Sequence, residues 1–97
     1  MFARVVTFQG KPDKVDAGIR FMKEQANPTI RKIAGSKGTY TLVDRKSGKL
    51  VVVALWETER NMVDSVQGTA LLRANGAQAV GDPNPPTVEH FEVAIQP

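Results

Sequence analysis

Few side chains in this sequence are of a type that does chemistry. His90, the single histidine, can act as a general base near neutral pH, and Tyr40, the single tyrosine, offers a phenol as a proton donor. Trp56, the single tryptophan, can stack on a planar ligand and donate its indole N–H. Arg73 can bind an anionic group. The sequence therefore predicts His90 and Tyr40 as catalytic groups, and Trp56 and Arg73 as substrate-binding groups.

Each of these residues also has a structural interpretation. A lone histidine near the end of a chain is often solvated or lies at an interface, and Arg73 can be a surface cation. Trp56 can be an ordinary core residue, and Tyr40 can anchor a core or an interface. The sequence leaves both interpretations open for all four residues.

Several site chemistries are absent from the composition. The chain has no cysteine, which excludes disulfides, thiolate zinc sites and thiol catalysis, and one histidine cannot form a multi-histidine metal cage within the chain. The glycine pair in Gly35–Gly38 follows a predicted helix instead of preceding one, so it does not have the arrangement of a phosphate-binding loop. No metal and no cofactor are predicted.

Arg4 is a cation within an apolar segment. Phe2 and Val6 share its face if residues 2–9 are extended. A charge among such neighbours needs compensation, and we expect a carboxylate partner, from this chain or from a second copy.

Length and charge limit the class of protein. With 97 residues, 41% of them hydrophobic and 24% charged, the chain is predicted to fold as one globular domain over residues 1–97. Residues 1–49 carry eleven Lys and Arg against four Asp and Glu, but the cations are scattered, which disfavours nucleic-acid binding. The longest apolar run, Leu50–Trp56, is far shorter than the roughly 20 residues that span a bilayer. We expect a cytoplasmic protein without a membrane segment.

The first third of the chain predicts a strand and an amphipathic helix. Residues Phe2 to Gln9 are rich in β-branched and aromatic types, which is typical of a strand. Pro12 then suits the first turn of a helix. Pro28 lies inside the helical pattern, and we expect it to kink the helix or split it near Asn27. The apolar stripe of this helix recurs at steps of three and four: Val15, Ile19, Met22, Ala26, Ile30 and Ile33.

A hairpin and a helix start follow. Thr39–Asp44 and Lys49–Glu57 are strand-like and flank a short polar turn, so we expect them to pair antiparallel. Thr58 is suited to cap a second helical region.

The last third combines helical and extended patterns. Residues 59–80 are helical in pattern, but Gly68 and Gly76 weaken the region, which leaves one helix or two short ones open. Its buried side is marked by Met62, Val63, Val66 and Ala70. The loop 81–86 is proline-rich, and Thr87–Ile95 predicts a final strand. The order βαββαβ predicts a ferredoxin-like α+β fold, an antiparallel four-stranded sheet with helices on one face.

The predicted third strand is apolar on both faces. In Leu50–Trp56, residues 51, 53 and 55 point one way and residues 50, 52, 54 and 56 the other, yet all are apolar. Helices of the same chain cover only one face of such a sheet. The second face therefore predicts a homodimer in which the sheets of two copies pack together.

These elements together resemble the dimeric α/β-barrel proteins of the antibiotic biosynthesis monooxygenase (ABM) type. The similarity lies in the proline-interrupted helix "KVDAGIRFMKEQANPTIRKIAG", the hairpin "GTYTLVDRKSGKLVVVALWET" and the closing "VEHFEVAIQP", and it covers nearly the whole chain. The resemblance implies that two sheets face each other in a barrel and that each subunit keeps a cavity between its sheet and its helices.

The resemblance also bears on the site. Trp56 matches the tryptophan that lines the cavity of oxygenase and haem-degrading members. Haem-degrading members add a histidine on the second helix and an asparagine on the first strand, and residues 59–80 and 2–9 contain neither. Quinone-forming members place an asparagine four residues before the tryptophan, where this chain has Val52.

Two functions follow as hypotheses. The first is a cofactor-independent monooxygenase-like enzyme that acts on a planar aromatic or quinone-like small molecule in the cavity, with Trp56 as the stacking wall. The second is a non-catalytic dimeric barrel that binds a small hydrophobic or aromatic ligand or is associated with stress. Retention of Trp56 favours the first hypothesis, and Val52 favours the second. The substrate itself is not specified by the sequence.

Overall fold

One antiparallel sheet organises the protein. The structure, a computed structural model, describes residues 1–97. Its strands lie in the order β2-β3-β1-β4, so the first and third strands are central. The strands are β1 (Phe2–Gln9), β2 (Ser36–Asp44), β3 (Lys49–Trp56) and β4 (Thr87–Glu92). This order and the helices between the strands confirm the ferredoxin-like α+β prediction.

The first helical segment is continuous but not uniform. A short 3₁₀ turn (Pro12–Lys14) leads into α1 (Val15–Phe21), a π-helical turn (Met22–Ala26) and α2 (Asn27–Arg31). Pro28 has no N–H to donate to the preceding turn. The N–H of Asn27 instead bonds the carbonyl of Met22, five residues earlier, which is the π-helical pattern. The expected disturbance near Asn27 is therefore a π turn directly before the proline.

The second helical region consists of two helices, which settles the alternative left open by the sequence. Thr58 caps α3 (Glu59–Gly68) by accepting a hydrogen bond from the N–H of Asn61 at 3.0 Å. The chain leaves helical geometry at Thr69 and continues as α4 (Ala70–Val80). None of the helices has the length and apolar content needed to cross a bilayer.

The helices pack on one face of the sheet and form the core there. In the β1–β3 ladder, Phe2 pairs with Trp56, Arg4 with Ala54, Val6 with Val52 and Phe8 with Leu50, and these residues all face the helices. Trp56 and Leu50 are the largest fully buried side chains. From the helices the core adds Phe21, Met22, Ala26, Ile30, Met62, Ala77 and Val80.

The other sheet face is apolar and open. Val51 and Val53 of β3 are only partly buried, and Tyr40, Leu42 and Phe91 on the neighbouring strands are 64%, 52% and 48% exposed. Both sides of β3 are therefore apolar, but only one side is covered by this chain.

Some boundaries differ from those expected. β2 begins at Ser36 instead of Thr39, with a bulge between these residues that the pattern of alternation does not reveal. β4 ends at Glu92, which pairs with Phe2, the first residue of β1. The N–H of Val93 still bonds the carbonyl of Met1, and Ile95 beyond it is 90% exposed. On α3, Val63 is 53% exposed and Ser65 is buried in its place. The apolar pattern predicted the wrong buried face of α3, because the side chain of Arg4 from the sheet packs against α3 and bonds Ser65.

Candidate ligand-binding cavity

A cavity lies between the sheet and the helices. β1 and β3 form one side, and the first helical segment and the start of α4 form the other. Ten of its thirteen lining residues are hydrophobic: Val6, Phe8, Phe21, Met22, Ala26, Ile30, Val52, Ala54, Trp56 and Leu72. The remaining three are Arg4, Thr69 and Arg73. The cavity measures about 40 Å³, which holds only a few water molecules, so a planar aromatic ligand requires its side chains to move apart.

Trp56 forms a wall of this cavity at the end of β3. Its side chain is completely buried, and its indole Nε1 has no hydrogen-bond partner in the chain. A buried donor without an acceptor is rare because it forfeits its bond to water. Trp56 therefore offers both an aromatic face and a free donor.

Arg4 extends from β1 into the same space, where it is 2% exposed. Its Nη2 donates to Ser65 Oγ at 2.8 Å and to the carbonyl oxygen of Met62, and its Nη1 donates to Thr69 Oγ1 at 3.4 Å. Its Nε donates to Nε2 of His90 at 3.2 Å. All four partners are neutral acceptors on α3, at the helix break and on β4.

The expected carboxylate partner of Arg4 is not in this chain. The two ion pairs of the protein, Arg45–Asp16 and Arg60–Asp64, are exposed and involve other arginines. The expectation of a carboxylate was wrong for the chain itself because hydroxyl and carbonyl oxygens satisfy the donors of Arg4 without neutralising its charge. Burial, with the nearby charge of Arg73, lowers the pKa of Arg4 to about 10, so Arg4 remains a cation at neutral pH.

Arg73 lies on α4 and shares an acceptor with Arg4. Its Nη1 donates to Thr69 Oγ1 at 2.6 Å, and its Nη2 donates to the carbonyl oxygen of Val66 at 3.0 Å. Burial lowers the pKa of Arg73 as well. Thr69 ends α3 and its hydroxyl donates to the Ser65 carbonyl, so one hydroxyl oxygen serves two guanidinium groups. Thr69, at the break between α3 and α4, thus bonds two cations that line the cavity, Arg4 from β1 and Arg73 from α4.

His90 reaches this cluster from the edge strand β4. It is paired with Arg4 in the β1–β4 ladder and therefore faces the helices, although it remains exposed. Desolvation, with the charges of Arg4 and Arg73, lowers the pKa of His90 below 6.5, so the ring is neutral at neutral pH. Its Nε2 accepts from Arg4, which leaves the proton on Nδ1.

Tyr40 lies apart from the other predicted site residues. It pairs with Val53, a residue of the open sheet face, and is 64% exposed. The sheet separates it from the cavity. The structure brings Trp56, Arg73 and His90 together around Arg4, and it does not bring Tyr40 to them.

A surface groove adjoins the cavity. It has a volume of about 670 Å³ and runs between α4 and the loop 81–86, whose three prolines form one side. Arg73 lines both the groove and the cavity, so its side chain stands between them.

Solved structures with the same fold are known. A monooxygenase from the gene ActVA-Orf6 of Streptomyces coelicolor, in complex with nanaomycin D, superposes with a TM-score of 0.77 at 22% identity, covering 99% of this chain and 91% of that one. A protein of unknown function from Nitrosomonas europaea gives a TM-score of 0.76 at 23% identity, covering 99% of this chain and 91% of that one. A Bordetella bronchiseptica protein assigned to the antibiotic biosynthesis monooxygenases gives 0.74 at 21% identity, covering 97% of each chain.

This chain has the ABM fold. At these identities the likeness concerns the fold alone, and no family model matches the sequence. Curated relatives are closer in sequence. The uncharacterised proteins Rv2558 and Rv2557 of Mycobacterium tuberculosis are 32% and 31% identical over 95 and 94 residues, which is 98% and 97% of this chain. The chain spans about two-fifths of the length of these relatives, 39% and 41%.

Within this ABM fold, the polar residues around Arg4 were not found from the sequence. Ser65 and Thr69 lie on the helix face where an apolar stripe was expected, and they are buried because they bond Arg4. The available signal was Arg4 itself, since a cation within an apolar strand requires polar partners wherever it points. Val52 lines the cavity as a hydrophobic residue on the same face of β3 as Trp56, with Ala54 between them.

Proposed function

We propose that the cavity of this ABM-fold protein binds a planar aromatic or quinone-like small molecule. The observation that carries the proposal is an apolar pocket with an aromatic wall, Trp56, and only three polar residues in its lining, Arg4, Thr69 and Arg73. Ligand sites commonly combine a mostly apolar lining with few polar groups that orient the ligand. The complex of the similar Streptomyces coelicolor monooxygenase with nanaomycin D supports the same class of ligand.

The proposed activity is a monooxygenase-like oxidation that needs no cofactor. On an anthrone-type substrate, dioxygen converts a ring CH₂ to a carbonyl, with one oxygen atom entering the product and the other leaving as water. In this proposal Trp56 stacks on the substrate and the arginines stabilise the negative charge that develops when it loses a proton. Arg73 and Trp56 are binding residues, and His90 is the proposed base.

Non-catalytic binding is the second candidate, and two observations favour it. Val52 contributes no hydrogen-bonding group to the cavity, and Nε2 of His90 already accepts a hydrogen bond from Arg4. A general base must have a free lone pair within reach of the proton that it removes. The same cavity then serves as a receptor for the ligand.

Oxygen consumption separates these two functions. The protein is incubated with anthrone or a substituted hydroquinone, while an oxygen electrode records uptake and calorimetry records binding. Uptake above the rate of autoxidation supports the enzyme, and binding without uptake supports the receptor. Absence of both contradicts the proposal that the cavity is a ligand site.

We further propose that residues 1–97 form one domain, which associates as a homodimer through the open sheet face. The supporting observation is the run of exposed apolar side chains on that face, which includes Tyr40, Leu42 and Phe91. Apolar patches of this kind usually mark interfaces. In this arrangement Tyr40 is an interface anchor and not a proton donor. A cytoplasmic location stays a prediction.

A further inference from the structure

The polar groups of the cavity present donors almost without acceptors. The bonds described above use four of the five guanidinium N–H groups of Arg4 and two of the five of Arg73, which leaves one on Arg4 and three on Arg73. Trp56 adds a buried indole N–H without a partner. Thr69 is the only other polar residue that lines the space, and its hydroxyl oxygen already accepts from both arginines. The cavity therefore lacks an acceptor for its remaining donors.

The charge at the cavity is positive and has no counter-charge from the chain. Neither Arg4 nor Arg73 takes part in an ion pair of the chain, and the two guanidinium groups are close enough to share one hydroxyl. Asp82 lines the neighbouring groove, but its carboxylate accepts from the backbone N–H groups of Gln9 and Asn84. Two like charges in a partly desolvated space repel each other, and a negative group between them relieves the repulsion.

A second copy on the open sheet face does not supply this negative group. The side chain of Arg4 points to the helix side of the sheet, where its partners Ser65 and Thr69 lie. The open face, with Tyr40 and Leu42, is on the opposite side. A partner seated on that face is therefore separated from Arg4 by the sheet.

We propose that the ligand of this cavity is a planar aromatic anion whose ionised oxygen binds between Arg4 and Arg73 while its ring packs on Trp56. A guanidinium group binds an anionic oxygen through charge-assisted hydrogen bonds, which are about twice as strong as neutral ones. The indole N–H of Trp56 supplies a further donor. The anion reaches the cavity along the groove beside α4, where Arg73 is the side chain common to both spaces. The inference rests on the proposed function of the cavity as a ligand site.

Matched pairs of probes test the charge. The first pair is 2-hydroxy-1,4-naphthoquinone, an enolate at neutral pH, and its neutral 2-methoxy analogue, and the second pair is 2-naphthoate and the neutral 2-naphthamide. Quenching of Trp56, the single tryptophan, reports the binding of each. We expect at least one anion to bind about tenfold or more tightly than its neutral analogue, which is about 1.4 kcal/mol. Equal affinities overturn the anion site and leave the aromatic cavity intact, whereas binding of no probe overturns both.

Variants then locate the anion. Arg73→Met, on a half-buried side chain, is expected to abolish most of the tenfold preference while retaining the thermal unfolding transition. Arg60→Met is the matched control, because it removes one positive charge from an exposed ion pair on α3 and should leave the preference unchanged. The single variant Arg4→Met is also expected to reduce the preference for the anionic probe over its neutral analogue. A preference that survives in Arg73→Met, or that falls equally in Arg60→Met, contradicts a site between Arg4 and Arg73.

Discussion

The guanidinium of Arg4 lies over the indole ring of Trp56, with 5.7 Å between Cζ and the ring centroid. The two residues come from adjacent central strands, and both line the cavity. A cation near an aromatic face is attracted by the ring quadrupole, by about 0.5–2 kcal/mol depending on desolvation. The contact orients the charge that we propose binds the ligand, and it fixes the ring that we propose stacks on it.

Trp56→Phe is expected to weaken ligand binding in a protein that still folds. The smaller ring leaves a void worth about 1–2 kcal/mol of unfolding free energy. It also removes the indole N–H and part of the stacking surface, which should raise the dissociation constant about 3- to 10-fold. Calorimetry with 2-hydroxy-1,4-naphthoquinone measures the change. Val53→Ala, on the open side of the same strand, is the control, and an affinity that is unchanged in Trp56→Phe removes Trp56 from the site.

Ser65→Ala is expected to destabilise the protein because it leaves a donor of Arg4 without its acceptor. The lost bond is 2.8 Å long and buried, and an unsatisfied buried group costs about 1–3 kcal/mol. In an Arg4→Met background the same substitution should cost less than half as much, since the donor is gone. Urea unfolding of the four proteins measures the coupling. Thr29→Ala, which removes an exposed hydroxyl bonded to the Gln25 carbonyl, serves as control. Additive effects of the two substitutions would refute the coupling.

Acidification is expected to destabilise the fold through His90. The pKa of His90 in the folded protein lies below the ordinary 6.5, because burial and the charges of Arg4 and Arg73 disfavour the protonated ring. The unfolded chain therefore binds more protons just below pH 6.5, and the stability present above that pH is lost as the pH falls. Unfolding free energies between pH 7.5 and 5 measure the loss. His90→Gln keeps an acceptor for Arg4 without a titrating ring, and it should flatten this part of the profile. A profile identical to that of the unsubstituted protein would exclude His90 as the cause.

Leu42→Lys is expected to break the proposed homodimer. Leu42 is 52% exposed on the open sheet face, and a lysine there would carry a charge into the interface between two sheets. Sedimentation velocity at micromolar concentration should then report a particle of 10.6 kDa, where the unsubstituted chain sediments as twice that mass. The control is Leu71→Lys, since Leu71 is 71% exposed on α4. Monomers of the unsubstituted chain at this concentration would contradict the dimer.

Two glycines in helices are expected to respond in opposite directions to alanine. A Cβ atom at Gly68 would meet nothing within 4 Å, so Gly68→Ala should stabilise the protein by about 0.5–1 kcal/mol through helix propensity. A Cβ atom at Gly18 would lie 2.5 Å from Val80 Cγ1 and 2.9 Å from Leu50 Cδ1, so Gly18→Ala should cost about 1–3 kcal/mol. Thermal unfolding ranks the three proteins. A stabilised Gly18→Ala would show that α1 does not pack this closely on α4.

The fold was accessible from the sequence because its signals are local. Two strand-like runs on either side of a short polar turn marked the hairpin, and the apolar stripe of the first helix continued in phase past Pro28. The site was less accessible, since its organising contact joins Arg4 to Ser65 and Thr69, about 60 residues further along the chain. No spacing rule connects such positions. The position of Tyr40 could not be predicted for a similar reason. Side chains alternate between the two faces of a strand, but this alternation does not say which face the helices cover.

The π turn at Met22–Ala26 makes the length of the first helical segment as important as its composition. It accommodates one more residue than an α-helical turn does. A deletion there would return the turn to α geometry and leave the later residues in phase, whereas a deletion in α1 would rotate everything after it by about 100°. Ile30 would leave the cavity wall, although every side chain downstream of the deletion kept its chemical identity. Related chains that keep this pocket should therefore tolerate substitutions in the segment, or the loss of one residue from the π turn, more readily than insertions or deletions in its α-helical turns.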